Sequence, residues 1–86
     1  MTNFKDKKIL LVDDETDILK LLETVLLKEN FTNIYKATSG QEAIEMTKTI
    51  NPDLIVLDIM LPDMDGFQVC RQLREITLVP IIFLSA

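Results

Sequence analysis

Short apolar runs alternate along the chain with stretches in which apolar residues recur at helical spacing. Lys8 to Val12 (KILLV) has the length and composition of a strand and ends in Asp13-Asp14. From Glu15 to about Glu29, Ile18, Leu21, Leu22 and Val25 fall at i, i+3, i+4 and i+7, the signature of an amphipathic helix. Leu19, Leu26 and Leu27 widen that stripe beyond what one sheet face needs, as if a neighbouring helix were expected. Asn33 to Thr38 reads as a weaker strand. Ser39-Gly40-Gln41-Glu42 matches the S-x-x-E capping box and opens a helix through Ala43, Ile44, Thr47 and Ile50. Asn51-Pro52 stops it, because the residue before a proline is pushed out of helical geometry. Leu54 to Leu57 is a strand apolar at every position, as expected for one buried on both faces. A third helix is expected from about Gly66 to Glu75, with Phe67, Cys70 and Leu73 at core spacing. Pro80 to Leu84 (PIIFL) reads as a strand with its proline at the tolerated first position.

The resulting order, β-α-β-α-β-α-β, predicts an α/β fold with a parallel sheet and right-handed crossovers. With 86 residues the chain is expected to form a single domain, 1–86, with one modest core. The net charge of −5 and the scattering of the nine basic residues argue against nucleic acid as a direct partner. One cysteine, Cys70, cannot form an internal disulfide, which points to a reducing compartment; Cys70 itself reads as a buried core residue. The N-terminus MTNFKDKK has no apolar signal segment, and no apolar run is long enough to cross a bilayer. A cytoplasmic protein without a membrane contact is the expectation.

The acids decide the chemistry. Asp13 and Asp14 follow the first strand and Asp58 follows the third, and open parallel sheets bind ligands beyond the carboxyl ends of their strands. If those two strands are neighbours, three carboxylates converge. Carboxylates so close repel, so that some are protonated or a cation sits between them. Oxygen ligands without His or Cys select Mg²⁺, Mn²⁺ or Ca²⁺ over zinc. The plain alternatives are a helix N-cap at Asp13-Asp14 and an ordinary loop acid at Asp58. Other sites fail on their own residues. Placing Gly66 at the sixth position of a calcium loop puts Leu61 first and Gln72 twelfth, where acids are required. A phosphatase of the Asp-x-Asp type needs an acid at 60, where Met60 stands. No G-x-G-x-x-G or Walker A loop is present, and the lack of histidine excludes Ser-His and Cys-His nucleophilic catalysis.

Four landmarks, LLVDDE at 10–15, ATSGQEA at 37–43, IVLDIMLPDMDG at 55–66 and PIIFLSA at 80–86, together resemble the receiver domain of bacterial two-component response regulators. The resemblance covers the whole chain. It implies a flavodoxin-like sheet of order 2-1-3-4. It implies that Asp58 is the phosphoacceptor for a partner histidine kinase, that Asp14 binds Mg²⁺ directly and Asp13 through water, and that the backbone carbonyl of Met60 completes the protein ligands. Ser85 is the implied hydroxyl that turns toward the phosphoryl group, while Pro62 and Gly66 shape the loop into the third helix. A complete member of that family has five β-α units, so the resemblance implies a truncated domain lacking the fourth helix, the fifth strand with its lysine, and the fifth helix. Impaired phosphorylation, an effector domain in a longer parent, and self-association through an exposed PIIFL edge are the corresponding expectations. Three readings stay open: a phosphoryl-accepting signalling domain that is not itself an enzyme, an interaction module that keeps the fold without being phosphorylated, and a small metal-dependent hydrolase. The last is weakest, since no general base stands outside the acid cluster.

Overall fold

The structure, a computed structural model, describes residues 6–84. Its elements run β1 (Lys8–Val12), α1 (Thr16–Lys28), β2 (Asn33–Ala37), α2 (Gly40–Ile50), β3 (Leu54–Asp58), α3 (Gly66–Leu73) and β4 (Ile81–Leu84). The strands form one parallel sheet of order β2-β1-β3-β4, the order that the family resemblance implies. Alternation along each strand sorts the side chains onto two faces. On one face, Leu10, Val12, Ala37, Ile55 and Leu57 pack with Ala43 and Ile44 of α2 and Val69 and Leu73 of α3. On the other, Ile9 and Leu11 meet Leu19 of α1, with Leu22, Leu26, Phe31, Ile34, Leu54 and Val56 partly buried around them.

The elements begin and end for local reasons. Ser39 caps α2, its hydroxyl accepting the Glu42 N–H at 3.1 Å. Glu42 does not close the expected box on Ser39; its carboxylate instead accepts the Thr38 N–H at 2.7 Å. Asn51 ends α2 in the left-handed region at φ 53°, a conformation asparagine tolerates, and buried Pro52 follows. α3 carries a complete capping box that the sequence reading had not singled out: Asp65 accepts the Gln68 N–H while Gln68 Oε1 accepts the Asp65 N–H.

Three expectations are corrected. The packed stripe of α1 is Leu19, Leu22 and Leu26, whereas Leu21 and Val25 face solvent. Leu19 and Leu26 therefore belong to the primary contact with the sheet, not to a surplus. In α3 the fully buried apolar side chains are Val69 and Leu73; Phe67 is exposed and meets Phe83 in a tilted ring pair with centroids 5.2 Å apart, and Cys70 is half-buried at the edge of the core. Finally, β3 is fully buried on the α2–α3 face alone, at Ile55 and Leu57, because α1 lies over β1 and leaves Leu54 and Val56 half-covered.

Candidate functional site

The β1–β3 pairing decides where the acids go. Its register sets Ile9 against Leu54 and Val12 against Leu57, so Asp13 and Asp58 lie one step past the last pair, on the same face as Leu11 and Val56. The ladder continues through the backbone at this end: the Asp13 N–H donates to the Ala37 carbonyl at 3.1 Å and the Ile59 N–H to the Leu84 carbonyl at 3.3 Å. Both acids thus stand on backbone held by neighbouring strands. Carboxylate oxygens of Asp13, Asp14 and Asp58 all lie within 4.8 Å of one another.

The three carboxylates differ in environment. Asp13 is buried, Asp58 half-buried and Asp14 exposed. Burial pushes the Asp13 carboxyl above its usual range; the Glu15 N–H, donating to Oδ1 at 2.9 Å, opposes this, and repulsion from Asp58, Asp14 and Glu15 adds to the rise. Neither Asp13 nor Asp14 caps α1. The N-cap position belongs to Glu15, whose side chain makes no capping bond, so the plain N-cap explanation for the acid pair loses its support. Among the described residues the Asp58 side chain accepts a single long bond, 3.3 Å from the Met60 N–H, which leaves most of its acceptor capacity unused by them.

The donor set found among the described residues suits a hard divalent cation: three carboxylates, with one member that burial and like charges make costly to ionise without a counter-charge. Ser85 lies outside the described residues. An apolar groove lined by Lys7, Ile9, Leu26, Phe31, Asp53 and Leu54 lies at the opposite, amino ends of the strands and has no part in this cluster.

The loop after β3 is built more tightly than its Pro-Gly composition suggests. Its base is closed by a Met60–Asp65 bridge and by the Gly66 N–H on the Ile59 carbonyl at 2.6 Å. Gly66 is required by close approach, since a Cβ there would stand 2.7 Å from the Asp58 carbonyl oxygen and 2.8 Å from Ile59 Cα. Asp63 reaches back to α2, accepting the Gly40 N–H at 2.8 Å and the Gln41 N–H at 2.9 Å. Those two amides hold its carboxyl below the usual range. The partners of Asp63 lie 22 and 23 residues away, and no local spacing in the sequence signals them.

The family model for the response regulator receiver domain matches residues 9–86. The chain belongs to that family. Receiver domains are the signalling modules of two-component systems, and the sheet order seen here is their flavodoxin-like arrangement. Among curated relatives, the alkaline phosphatase synthesis transcriptional regulatory protein PhoP of Bacillus subtilis is 48% identical over 82 residues, which is 94% of this chain and 34% of that protein. ResD of the same organism, a transcriptional regulatory protein, is 48% identical over 86 residues, 100% of this chain and 35% of its own length. This receiver chain therefore spans about a third of the length of those relatives. Among solved structures, the BeF3-activated N-terminal receiver domain of Klebsiella pneumoniae RstA superposes with a TM-score of 0.84 at 36% identity, covering 91% of this chain and 66% of that one. The CheX-CheY-BeF3-Mg²⁺ complex from Borrelia burgdorferi gives 0.85 at 32% identity, covering 93% and 62%. No helix among the described residues is long and apolar enough to cross a membrane.

Proposed function

We propose that this receiver domain accepts a phosphoryl group on Asp58 from the phosphohistidine of a sensor kinase, with Mg²⁺ held by Asp13, Asp14, Asp58 and the Met60 backbone carbonyl. The observation that carries this reading is the convergence of three carboxylates within 4.8 Å at the carboxyl ends of two adjacent strands. Mg²⁺ supplies charge neutralisation for the transferring phosphoryl oxygens and for the acid cluster. Asp58 supplies the nucleophile: a carboxylate oxygen bonds to phosphorus as the phosphorus–nitrogen bond breaks, and that electron pair returns to the imidazole of the donor. The apolar strand behind Asp58 fixes the position of that oxygen, because Ile55 and Leu57 are wholly buried and both neighbouring strands pin the backbone. In this reading Asp14, which is exposed at the rim, binds the cation directly, and Asp13, which is buried, acts through water. Ser85 is the proposed hydroxyl that reads the phosphorylated state.

The product adds about −1 to −2 charge at this rim, and its effect is passed to an effector domain in a longer cytoplasmic protein. For the 86-residue chain we also propose pairing of two copies along β4, where Ile82 and Phe83 are exposed and no charged residue guards the strand; a compact monomer in concentrated sedimentation runs would refute it. The phosphoryl reading is tested with acetyl phosphate and Mg²⁺. One acid-labile phosphate per chain, lost in Asp58→Ala, is expected. Mg²⁺ binding without incorporation would leave an interaction module, and sustained turnover would indicate a hydrolase.

A further inference from the structure

The loop between β3 and α3 carries one of the proposed metal ligands, the Met60 carbonyl, yet it is anchored to an element that contributes no ligand. At its base, the Met60–Asp65 bridge and the short Gly66–Ile59 bond close the loop on itself. Its far side is held by Asp63, whose two carboxylate oxygens take the first free amides of α2, those of Gly40 and Gln41. Beside it, Met64 fills the space that a side chain at Gly40 would occupy: a Cβ there would stand 2.6 Å from Met64 Cγ and 2.8 Å from Val69 Cγ2. The bare surface of Gly40 thus admits the loop, and the Asp63 carboxylate fastens it. Charge-assisted bonds to helix N-terminal amides are the strong kind, and the lowered Asp63 carboxyl reflects them.

We infer that Asp63 is a positioning residue for the metal site: by clamping the 59–65 loop onto the first turn of α2, it holds the Met60 carbonyl in place beside Asp58 and so sets the affinity for Mg²⁺. The inference rests on the proposed ligand set, in which Met60 participates through its backbone. A flexible loop would have to be ordered each time the cation binds, whereas a clamped loop is ordered beforehand. Asp63 touches no reacting atom; its effect passes through the loop backbone.

The test measures Mg²⁺ affinity calorimetrically on the folded 86-residue chain, together with melting temperature in chelator and amide hydrogen exchange over 59–65. Asp63→Ala is expected to weaken Mg²⁺ binding by roughly tenfold or more, the range seen when groups orienting metal ligands are removed. Exchange in the loop should accelerate and slow again on adding Mg²⁺. Asp63→Asn keeps one acceptor oxygen but no charge, so it should fall between Ala and wild type; an Asn variant as weak as Ala would mean that Asp63 acts by charge alone and would overturn the clamp. Ser39→Ala removes the cap of the same helix and should lower the melting temperature without changing Mg²⁺ affinity. Wild-type affinity in Asp63→Ala, or an equal loss in Ser39→Ala, would reduce Asp63 to a stabiliser of α2. Asp58→Asn is the independent control: if it leaves Mg²⁺ binding intact, the ligand set itself is wrong, whatever Asp63 does.

Discussion

Replacing Asp13 by Asn should stabilise the metal-free protein while crippling its metal site. The substitution removes one charge from a trio whose oxygens lie within 4.8 Å of one another. At that distance two unit charges repel by about 1 kcal/mol in water-like surroundings and by about 3.5 kcal/mol at an effective dielectric near 20. Asp13 is 5% exposed and Asp58 half-buried, so the relief lies between those limits, about 1–3 kcal/mol. Asn retains the oxygen that accepts the Glu15 N–H, so no hydrogen bond is lost in exchange. For a domain of this size, each kcal/mol moves the melting temperature by about 4–8 °C. The Asn variant should therefore melt at least about 4 °C higher in chelator at neutral pH. The pH dependence has a definite sign. An acid whose folded pKa is raised binds its proton more tightly when folded, so its contribution to stability falls as pH climbs from the usual value of 3.8 through the raised one. The advantage of Asn should accordingly vanish below that window and be complete above it. Excess Mg²⁺ should reverse the order, because a cation at 1,000 times its dissociation constant stabilises wild type by about 4.1 kcal/mol. Melting curves in chelator and in Mg²⁺ across pH decide the matter; a variant less stable than wild type in chelator at neutral pH would refute the view that this cluster is electrostatically strained without a counter-ion.

Other substitutions probe the scaffold that carries the cluster. Gly66→Ala drives a methyl into the backbone of Asp58 and Ile59, which cannot yield, so it should displace the loop and weaken Mg²⁺ binding sharply. Gly40→Ala meets the Met64 and Val69 side chains instead and should cost less in both stability and affinity; equal losses in the two variants, measured by melting and calorimetry, would contradict the close-approach explanation. Leu57→Ala empties a fully buried position directly behind Asp58 and should destabilise by about 2–5 kcal/mol in denaturant titrations. Val25→Ala, on the solvent side of α1, should stay within about 0.5 kcal/mol of wild type, although simple periodicity places Val25 in the core stripe.

The amino-acid order by itself determined the element sequence, because strand and helix periods are written in the apolar pattern, and Asn51-Pro52 and Ser39 punctuate it. It also determined which acids to suspect: Asp13, Asp14 and Asp58 each stand at the carboxyl end of a strand, and the motif set around them carried the family resemblance that the family model bears out over residues 9–86. Tertiary structure alone decided which side of α1 packs. Seven apolar residues between Ile18 and Leu27 offer overlapping stripes, and docking onto Ile9 and Leu11 selected Leu19, Leu22 and Leu26. In α3, a spacing that fitted Phe67, Cys70 and Leu73 gave way to Val69 and Leu73, because the capping box at Asp65 and Gln68 sets where the helix starts and the neighbouring α2 sets which side it buries. The meeting of the acids depended on β1 lying beside β3 in a register that puts Asp13 next to Asp58, and the hold of Asp63 on α2 spans two separate β-α units. Contacts of that kind arise from the packing of elements against one another, and a periodic pattern along one chain segment carries no record of which other segment it will meet.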